Sequence, residues 1–550
     1  MRHKGHRVGV VLVAVALAVS ACGGGQRSGE GAPLAQGGEF SVFICEPRGL
    51  TPGNANQSCS SEVLTALFSQ LVEYDTANTE NPVLMGEDAP RGHAASITSR
   101  DQQTWTITLK DGWTFHDGTP VTAQSYVDAW NYGAYAPNAQ NNASFFANIE
   151  GFVGLQCGRG AAGELDCDAS PPVSERMSGL RAADERTIEV RLSAPFSQFP
   201  LTLGDTAFYP LPETFYADPE AFNTAPIGDG PFKMDGTWIH NQSVRVTRYT
   251  GYAGKPANAA AVNFQIYASI ETAFTDLRAG NLDIIDRTPR AQIPTAAERL
   301  DGRFAEFPGS GWTYLGFPTY DPRFADPNLR KAFSMAIDRE ALTRTVKPDS
   351  VPADSFVSPV VSGYREGACG EWCEFNPDRA RQLFEQAGGW QGELVLWFNS
   401  DGDHATWMEA IGNQLRQHLG IQDIRFEPLL FAELLDRERD KGINGPFRSA
   451  WAMDYPSPQN YLQPVFGTGG SSNYTYYSNP AFDAALQQGN AAGTISDGLD
   501  FYHQAEDLLI QDMPAIPLFF DVWATSWSER VDNVFVDPFE HVNKADIVVK

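Results

Sequence analysis

Basic residues are scarce in this chain. Forty Lys and Arg stand against 68 Asp and Glu, a net charge of −28 over 550 residues. Nucleic-acid binding needs clustered Lys and Arg against phosphate, so this balance excludes a general nucleic-acid binder. The excess acid reads as a solvated surface that aids solubility. Long hydrophobic runs are lacking after the first twenty residues, where nothing approaches the roughly 20 apolar residues of a membrane helix. Internal repeats are absent. So are the G-x-S-x-G and H-E-x-x-H signatures of common hydrolases. What the chain does have is core-forming material. Hydrophobic residues make up 42% and aromatics 12%, which excludes a disordered or fibrous chain. At roughly 100–200 residues per domain, the length implies three or four structural units.

The apolar run at the start reads as an export signal. Arg2, Lys4 and Arg7 form a positive n-region, and Val8 to Val19 form an apolar stretch too short to span a bilayer stably. Val19-Ser20-Ala21-Cys22 resembles the lipobox of bacterial lipoproteins, which implies acylation of Cys22 and removal of residues 1–21. Losing Arg2, Lys4 and Arg7 takes the net charge from −28 to −31. The stretch Gly23 to Gly38 carries seven glycines in sixteen residues. As a flexible coil it would reach about 20–25 Å, tethering a folded body close to a membrane. The expected location is the outer face of the cytoplasmic membrane, with the lipid anchor as the sole membrane contact.

Cysteine is also scarce, at seven residues. Without Cys22 six remain, an even number for an oxidising compartment. They fall into the sequence-local pairs Cys45 with Cys59, Cys157 with Cys167, and Cys369 with Cys373. Six cysteines allow 15 pairings, so connectivity stays open, but disulfides are favoured over zinc. Cys369 and Cys373 have neither a second Cys pair nor a His nearby to complete a zinc site.

Period-2 and period-3.6 segments alternate along the chain, the pattern of a mixed α/β protein. Phe40–Cys45, Thr104–Leu109, Thr187–Leu192, Val262–Tyr267 and Leu282–Ile285 read as strands. Ser60 or Ser61, Thr122 and Ser269 are candidate helix caps, with a stop near Gly280. Asp326-Pro327 and Asn479-Pro480 each start a helix, the first running over 326–342, and Met408–His418 is a further helix. Strand patterning in Ile516–Lys550, after several helices, suggests a return to a sheet the chain left earlier.

Six stretches, in order, carry a resemblance. They are Glu46–Pro52, Trp113–Ala123 with Phe115-His116-Asp117-Gly118-Thr119-Pro120, Gly228-Asp229-Gly230-Pro231-Phe232, Asn328–Arg339, Trp451–Pro456, and Asp512–Leu518. Together they resemble family 5 of the extracellular solute-binding proteins, the peptide-binding subunits of bacterial ABC importers. The resemblance covers nearly the whole mature chain. It implies an α/β fold of two lobes closing like a clamshell, of the class II periplasmic-binding type, with an extra domain inserted in the first lobe. The implied boundaries are a signal peptide at 1–21, a tether at 22–37, a discontinuous first-lobe domain at 38–89, 205–307 and 521–550, an inserted domain at 90–204, and a second lobe at 308–520. Most of these motifs read as turn and core chemistry rather than as a site.

The resemblance also implies where a ligand sits. In the oligopeptide branch an extended peptide is held through its backbone, with pockets for its side chains. Asp454 matches the carboxylate for the peptide α-ammonium and Arg448 an arginine for a peptide carboxylate. Ala450 matches a small position that offers backbone groups, and Trp451 an aromatic wall. Asn399–His404 resembles a loop whose histidine, His404, faces the ligand, and Glu46 matches a position that approaches the peptide. Phe431 and Arg439 approximate an aromatic and an arginine of the site, with a spacing off by one residue. Pocket aromatics are placed near Phe146 and Phe520. The residues themselves support Asp454: a carboxylate among aromatics with no Lys beside it is costly unless a cation arrives. The expected partners are a peptide, an ABC permease and its ATPase subunits, with the protein itself monomeric. No cofactor, metal or catalytic residue is expected. The rival readings are a sugar or nickel-complex binder on the same fold, and an extracellular hydrolase. The pairing of Asp454 with Arg448 favours a zwitterionic peptide.

Overall fold

The computed structural model describes residues 37–76, 78, 82–159 and 165–550. The signal segment, Cys22 and most of the tether lie outside the described residues. The described residues pack as one unit.

An eleven-stranded sheet forms the spine. Its order is Phe232–Met234, Ser243–Arg248, Ala261–Ile266, Glu39–Ile44, Ile284–Ile285, Ala515–Trp527, Phe304–Gly316, Phe447–Trp451, Leu394–Asn399 and Ile424–Leu429, with Ser350–Pro352 also pairing with Ala515–Trp527. The two central strands, Phe304–Gly316 and Ala515–Trp527, are 13 residues long and antiparallel. One end of this pair joins Ile284–Ile285 through Trp527 and Ser526. The other end joins Phe447–Trp451 through Trp312–Gly316. The two halves of the sheet therefore hang from opposite ends of one ribbon. Midway, the register breaks between Pro308 and Trp312. Pro308 donates no hydrogen bond there, and a side chain on Gly309 would meet the Trp523 ring at 2.6 Å. The tail thus does return to the sheet, but only as Ala515–Trp527; beyond it, strand structure is limited to Val531–Asp532 and Val548–Val549.

A second sheet, antiparallel, runs in the order Ala94–Ser99, Thr104–Leu109, Thr187–Arg191 and Leu180–Asp184. The helix Ala123–Ala134 buries Tyr126, Val127 and Trp130 against it. Thr122 and Ser125 form a reciprocal capping box at its start. Around the other half of the large sheet, two cores lie on opposite faces. Trp312, Tyr314 and Phe520 pack with the helices Pro458–Phe466, Pro480–Asn490 and Ile495–Asp512. Leu315, Leu394 and Phe398 pack with Pro327–Met335, Pro377–Gln386 and Ala405–Leu419. This is helix–sheet–helix layering.

The sequence motifs meet one another in space. Gly228 N–H donates to His116 Nδ1 at 3.1 Å, and His116 N–H donates to Gly228 O at 2.8 Å. His116 Nε2 lies 3.2 Å from Gly230 O, so the ring is the Nε2–H tautomer. A side chain on Gly230 would strike the Leu67 backbone at 2.6 Å, which explains the glycine. Arg330, which is buried, donates to the Asp512 and Met513 carbonyls, and Arg339 to Pro517 O at 2.7 Å. Two distant motifs are thus one buried network.

Two local expectations are corrected. The first helix is Ser58–Leu67 with Gln57 at its cap, so Ser60 and Ser61 lie inside it. The single helix expected over 326–342 is two, Pro327–Met335 and Arg339–Thr345. Asp338 restarts the chain as a cap, accepting from Ala341 N–H.

Three disulfides join Cys45 to Cys59, Cys157 to Cys167 and Cys369 to Cys373, with Cα separations of 5.6, 4.8 and 5.6 Å. No helix among the described residues is long and apolar enough to cross a membrane.

Candidate ligand cleft

Phe447–Trp451 positions the site. On one side it pairs with Trp312–Gly316 over its whole length. On the other it meets Leu394–Asn399 at a single register, Trp397 with Phe447. From Arg448 onward its outer edge has no strand neighbour among the described residues. Such an edge offers unpaired backbone donors and acceptors to an extended chain. Ala450 is exposed on this stretch.

The strand ends at Trp451, and Asp454 lies in the turn before the helix Pro458–Phe466. Asn460, buried on that helix, ties three groups together. Its Oδ1 accepts from Asp454 N–H at 2.8 Å and from Trp451 Nε1 at 3.2 Å, and its Nδ2 donates to Asp454 Oδ2 at 3.0 Å. Burial pushes the Asp454 carboxyl up from the usual carboxylate range, and the Asn460 bond partly opposes that shift. Among the described residues, no cation lies close enough to offset the burial. Asp205 approaches from another segment. Its carboxyl caps Ala207 N–H at 2.8 Å and is pushed up to about 7, mainly by burial and also by the Asp454 charge. Gln198 accepts from Ser457 Oγ at 2.9 Å, and Ser197 N–H donates to Asn490 O at 2.8 Å, docking this segment beside the turn.

The far end has the opposite sign. Arg448 donates to Asn399 Oδ1 at 3.1 Å, while its Nε is buried without a hydrogen-bond partner. Burial lowers the Arg448 pKa; Asp521 opposes most strongly. His404 Nδ1 is likewise buried without a hydrogen-bond partner. Its pKa falls to about 3, first through burial and then through the cations Arg448, Lys347 and Arg290. Lys347 is itself held by Asp349 at 3.0 Å and by Ser350 at 2.7 Å. The strand and the turn after it thus carry a carboxylate with no cation beside it at Asp454 and, at Arg448, a guanidinium that forms no ion pair among the described residues.

Residues 91–473 match the family model described as bacterial extracellular solute-binding proteins, family 5 middle. The chain belongs to that family. It is 26% identical over 533 residues to an oligopeptide-binding protein, OppA, of Bacillus subtilis, covering 92% of this chain and 93% of that protein. It is 27% identical over 487 residues to the periplasmic murein peptide-binding protein MppA of Escherichia coli, covering 86% of each. Among solved structures, the unliganded open form of MppA aligns at a TM-score of 0.77 with 24% identity, covering 94% of this chain and 98% of that one. The fold is the two-lobed periplasmic-binding-protein fold of the family 5 proteins.

The other expected site residues are placed as follows. The Glu46 carboxylate is engaged by His240 Nδ1 and by Asn241 N–H, both at 2.8 Å. Phe431 is 46% exposed at the start of the helix Phe431–Arg439, its N–H donating to Asp401. Arg439 has an exposed side chain 3.3 Å from Asp436. Phe146 and Phe520 are core residues of two separate clusters. Asn460 and Asp205 were missed by reading the sequence alone. No motif marks them; their roles arise from tertiary packing.

Proposed function

We propose that the protein is the extracytoplasmic peptide-binding component of a bacterial ABC importer. It captures extended peptides between its lobes and delivers them to a permease served by ATPase subunits. The observation that carries this reading is the charge pattern of the open strand edge. Arg448 on that strand and Asp454 in the turn after it are half-buried and opposite in sign, and neither forms an ion pair among the described residues. A zwitterionic extended ligand supplies both missing charges, and its backbone meets the edge. The names of the relatives, oligopeptide-, dipeptide- and murein peptide-binding proteins, point the same way.

In this reading 38–89, 205–307 and 521–550 form the first lobe, 90–204 its inserted domain and 308–520 the second lobe. Cys22 carries the lipid that holds the protein at the membrane, and the protein acts as a monomer without catalysis. The test is calorimetry with trialanine, its N-acetyl form and its C-terminal amide. The free peptide should bind most tightly and each blocked form more weakly. Equal binding of all three, or none by any peptide while a sugar or metal complex binds, would overturn the reading.

A further inference from the structure

Arg290 belongs to none of the sequence motifs, yet its guanidinium joins three segments of the chain. It follows the strand Ile284–Ile285 and precedes the helix Ile293–Arg299. Its Nε and Nη2 donate to the two carboxylate oxygens of Asp349 at 3.1 and 3.0 Å, a forked pair. Its third nitrogen, Nη1, donates to the Asp403 carboxylate and, at 3.4 Å, to the Asp403 carbonyl. The Arg290 and Asp349 side chains are both half-buried, so the fork is partly shielded from water.

The two acids differ in how they are held. Asp349 has other anchors. Lys347 reaches its carboxylate at 3.0 Å, and its carbonyl accepts from Val522 N–H at 3.0 Å, on the central strand Ala515–Trp527. Asp403 has an exposed side chain and sits in the loop between the strand Leu394–Asn399 and the helix Ala405–Leu419. Arg290 thus moors that loop to a fixed point beside the central strand. Within the loop the contacts are close. Asn399 Nδ2 donates to Asp401 at 2.8 Å, and Asp401 also accepts from Phe431 N–H at 3.2 Å. A side chain on Gly402 would collide with His404 and meet Asn399 Nδ2 at 3.1 Å. Asn399 Oδ1 in turn accepts from Arg448 at 3.1 Å. A chain of printed contacts therefore leads from Arg290 through the loop to the Arg448 guanidinium.

We propose that Arg290 is a positioning residue for the carboxylate end of the cleft. It clamps Asp403 to Asp349 and so fixes the loop from which Asn399 holds Arg448. The inference rests on the peptide reading above. A guanidinium already held in one orientation loses less freedom when a ligand carboxylate arrives, and binds it more tightly for that reason. In that reading Arg290 belongs to the first lobe and both acids to the second, so the clamp spans the lobes.

The test is calorimetry on the full chain with trialanine, its C-terminal amide and its N-acetyl form. Wild type should prefer the free acid to the amide by at least about tenfold. Asp403→Asn removes one end of the clamp at an exposed residue, where an ion pair contributes little to stability, so the denaturant midpoint should not move. The preference for acid over amide should nevertheless fall by about three- to tenfold, while the preference for free over N-acetyl peptide keeps its wild-type value. Arg290→Met should show the same selective loss. Arg290→Lys keeps the charge without the fork and should recover only part of it. An unchanged acid-to-amide ratio in Asp403→Asn, or equal weakening of all three peptides, overturns this inference alone. If wild type binds no peptide, or binds acid and amide equally, the peptide reading fails first and this inference falls with it. Asp403→Asn decides the matter even if the Arg290 variants fold poorly.

Discussion

Asn460 grips Asp454 from both sides of its amide, accepting from the Asp454 N–H at 2.8 Å and donating to its carboxylate at 3.0 Å. The same oxygen accepts from Trp451, so one side chain fixes the aromatic wall and the acid together. Asn460→Ala should leave Asp454 free to rotate. Free-amine peptides should then bind about five- to thirtyfold more weakly, the worth of one or two hydrogen bonds near a charge. N-acetyl peptides should be affected much less. Equal losses for both would assign Asn460 a structural role only.

His116 predicts a pH dependence of stability. Burial holds its pKa down at about 4, against 6.5 when unperturbed. The native ring is neutral, and its Nδ1 accepts from Gly228 N–H. Between those two values the unfolded chain binds the extra proton and the native state does not. This contribution is therefore present above pH 6.5 and is lost as pH falls toward 4, to the extent of roughly 3 kcal/mol. His116→Gln should be less stable at pH 7 and should lack that part of the acid-side decline. Denaturant titrations at pH 5 and 7 on both proteins measure it; parallel declines would contradict it.

The three disulfides close loops with sequence separations of 14, 10 and 4. Loops this short constrain the unfolded chain modestly, so each should contribute about 2–3 kcal/mol. Thiol counting on denatured, unreduced mature protein should find none of the six free. Titration of any pair would reject that bridge.

Cys22→Ala should shift the protein from the membrane fraction to the medium or leave it unprocessed. Detergent partitioning reads this directly. An unchanged membrane fraction would reject the lipid anchor.

Much of this architecture was legible because its signals are local. Thr122, Ser269 with Gly280, Asp326 with Pro327, and Asn479 with Pro480 bound their helices as the chemistry of caps requires. The split at Asp338 was not legible, since both helices share one apolar face and the break depends on a single cap. At the site, Asp454 stood out as a carboxylate among aromatics with no Lys beside it, and Arg448 through the family resemblance. Asn460 and Asp205 did not, because their roles depend on segments brought together by folding.

The central claim is that Asp454 receives a peptide α-ammonium. Asp454→Asn keeps the shape and removes the charge, and N-acetylation removes the matching charge from the ligand. Either change alone should weaken binding by about tenfold to a hundredfold, the worth of a charge-assisted bond of about 1.5–3 kcal/mol. Together they should cost little more than one, because both delete the same interaction. Calorimetry on the four combinations of wild type or Asp454→Asn with free or acetylated peptide measures that coupling. Strong coupling is the predicted result. Equal binding of free and acetylated peptide by wild type would show that Asp454 is not the amine site and would contradict the account.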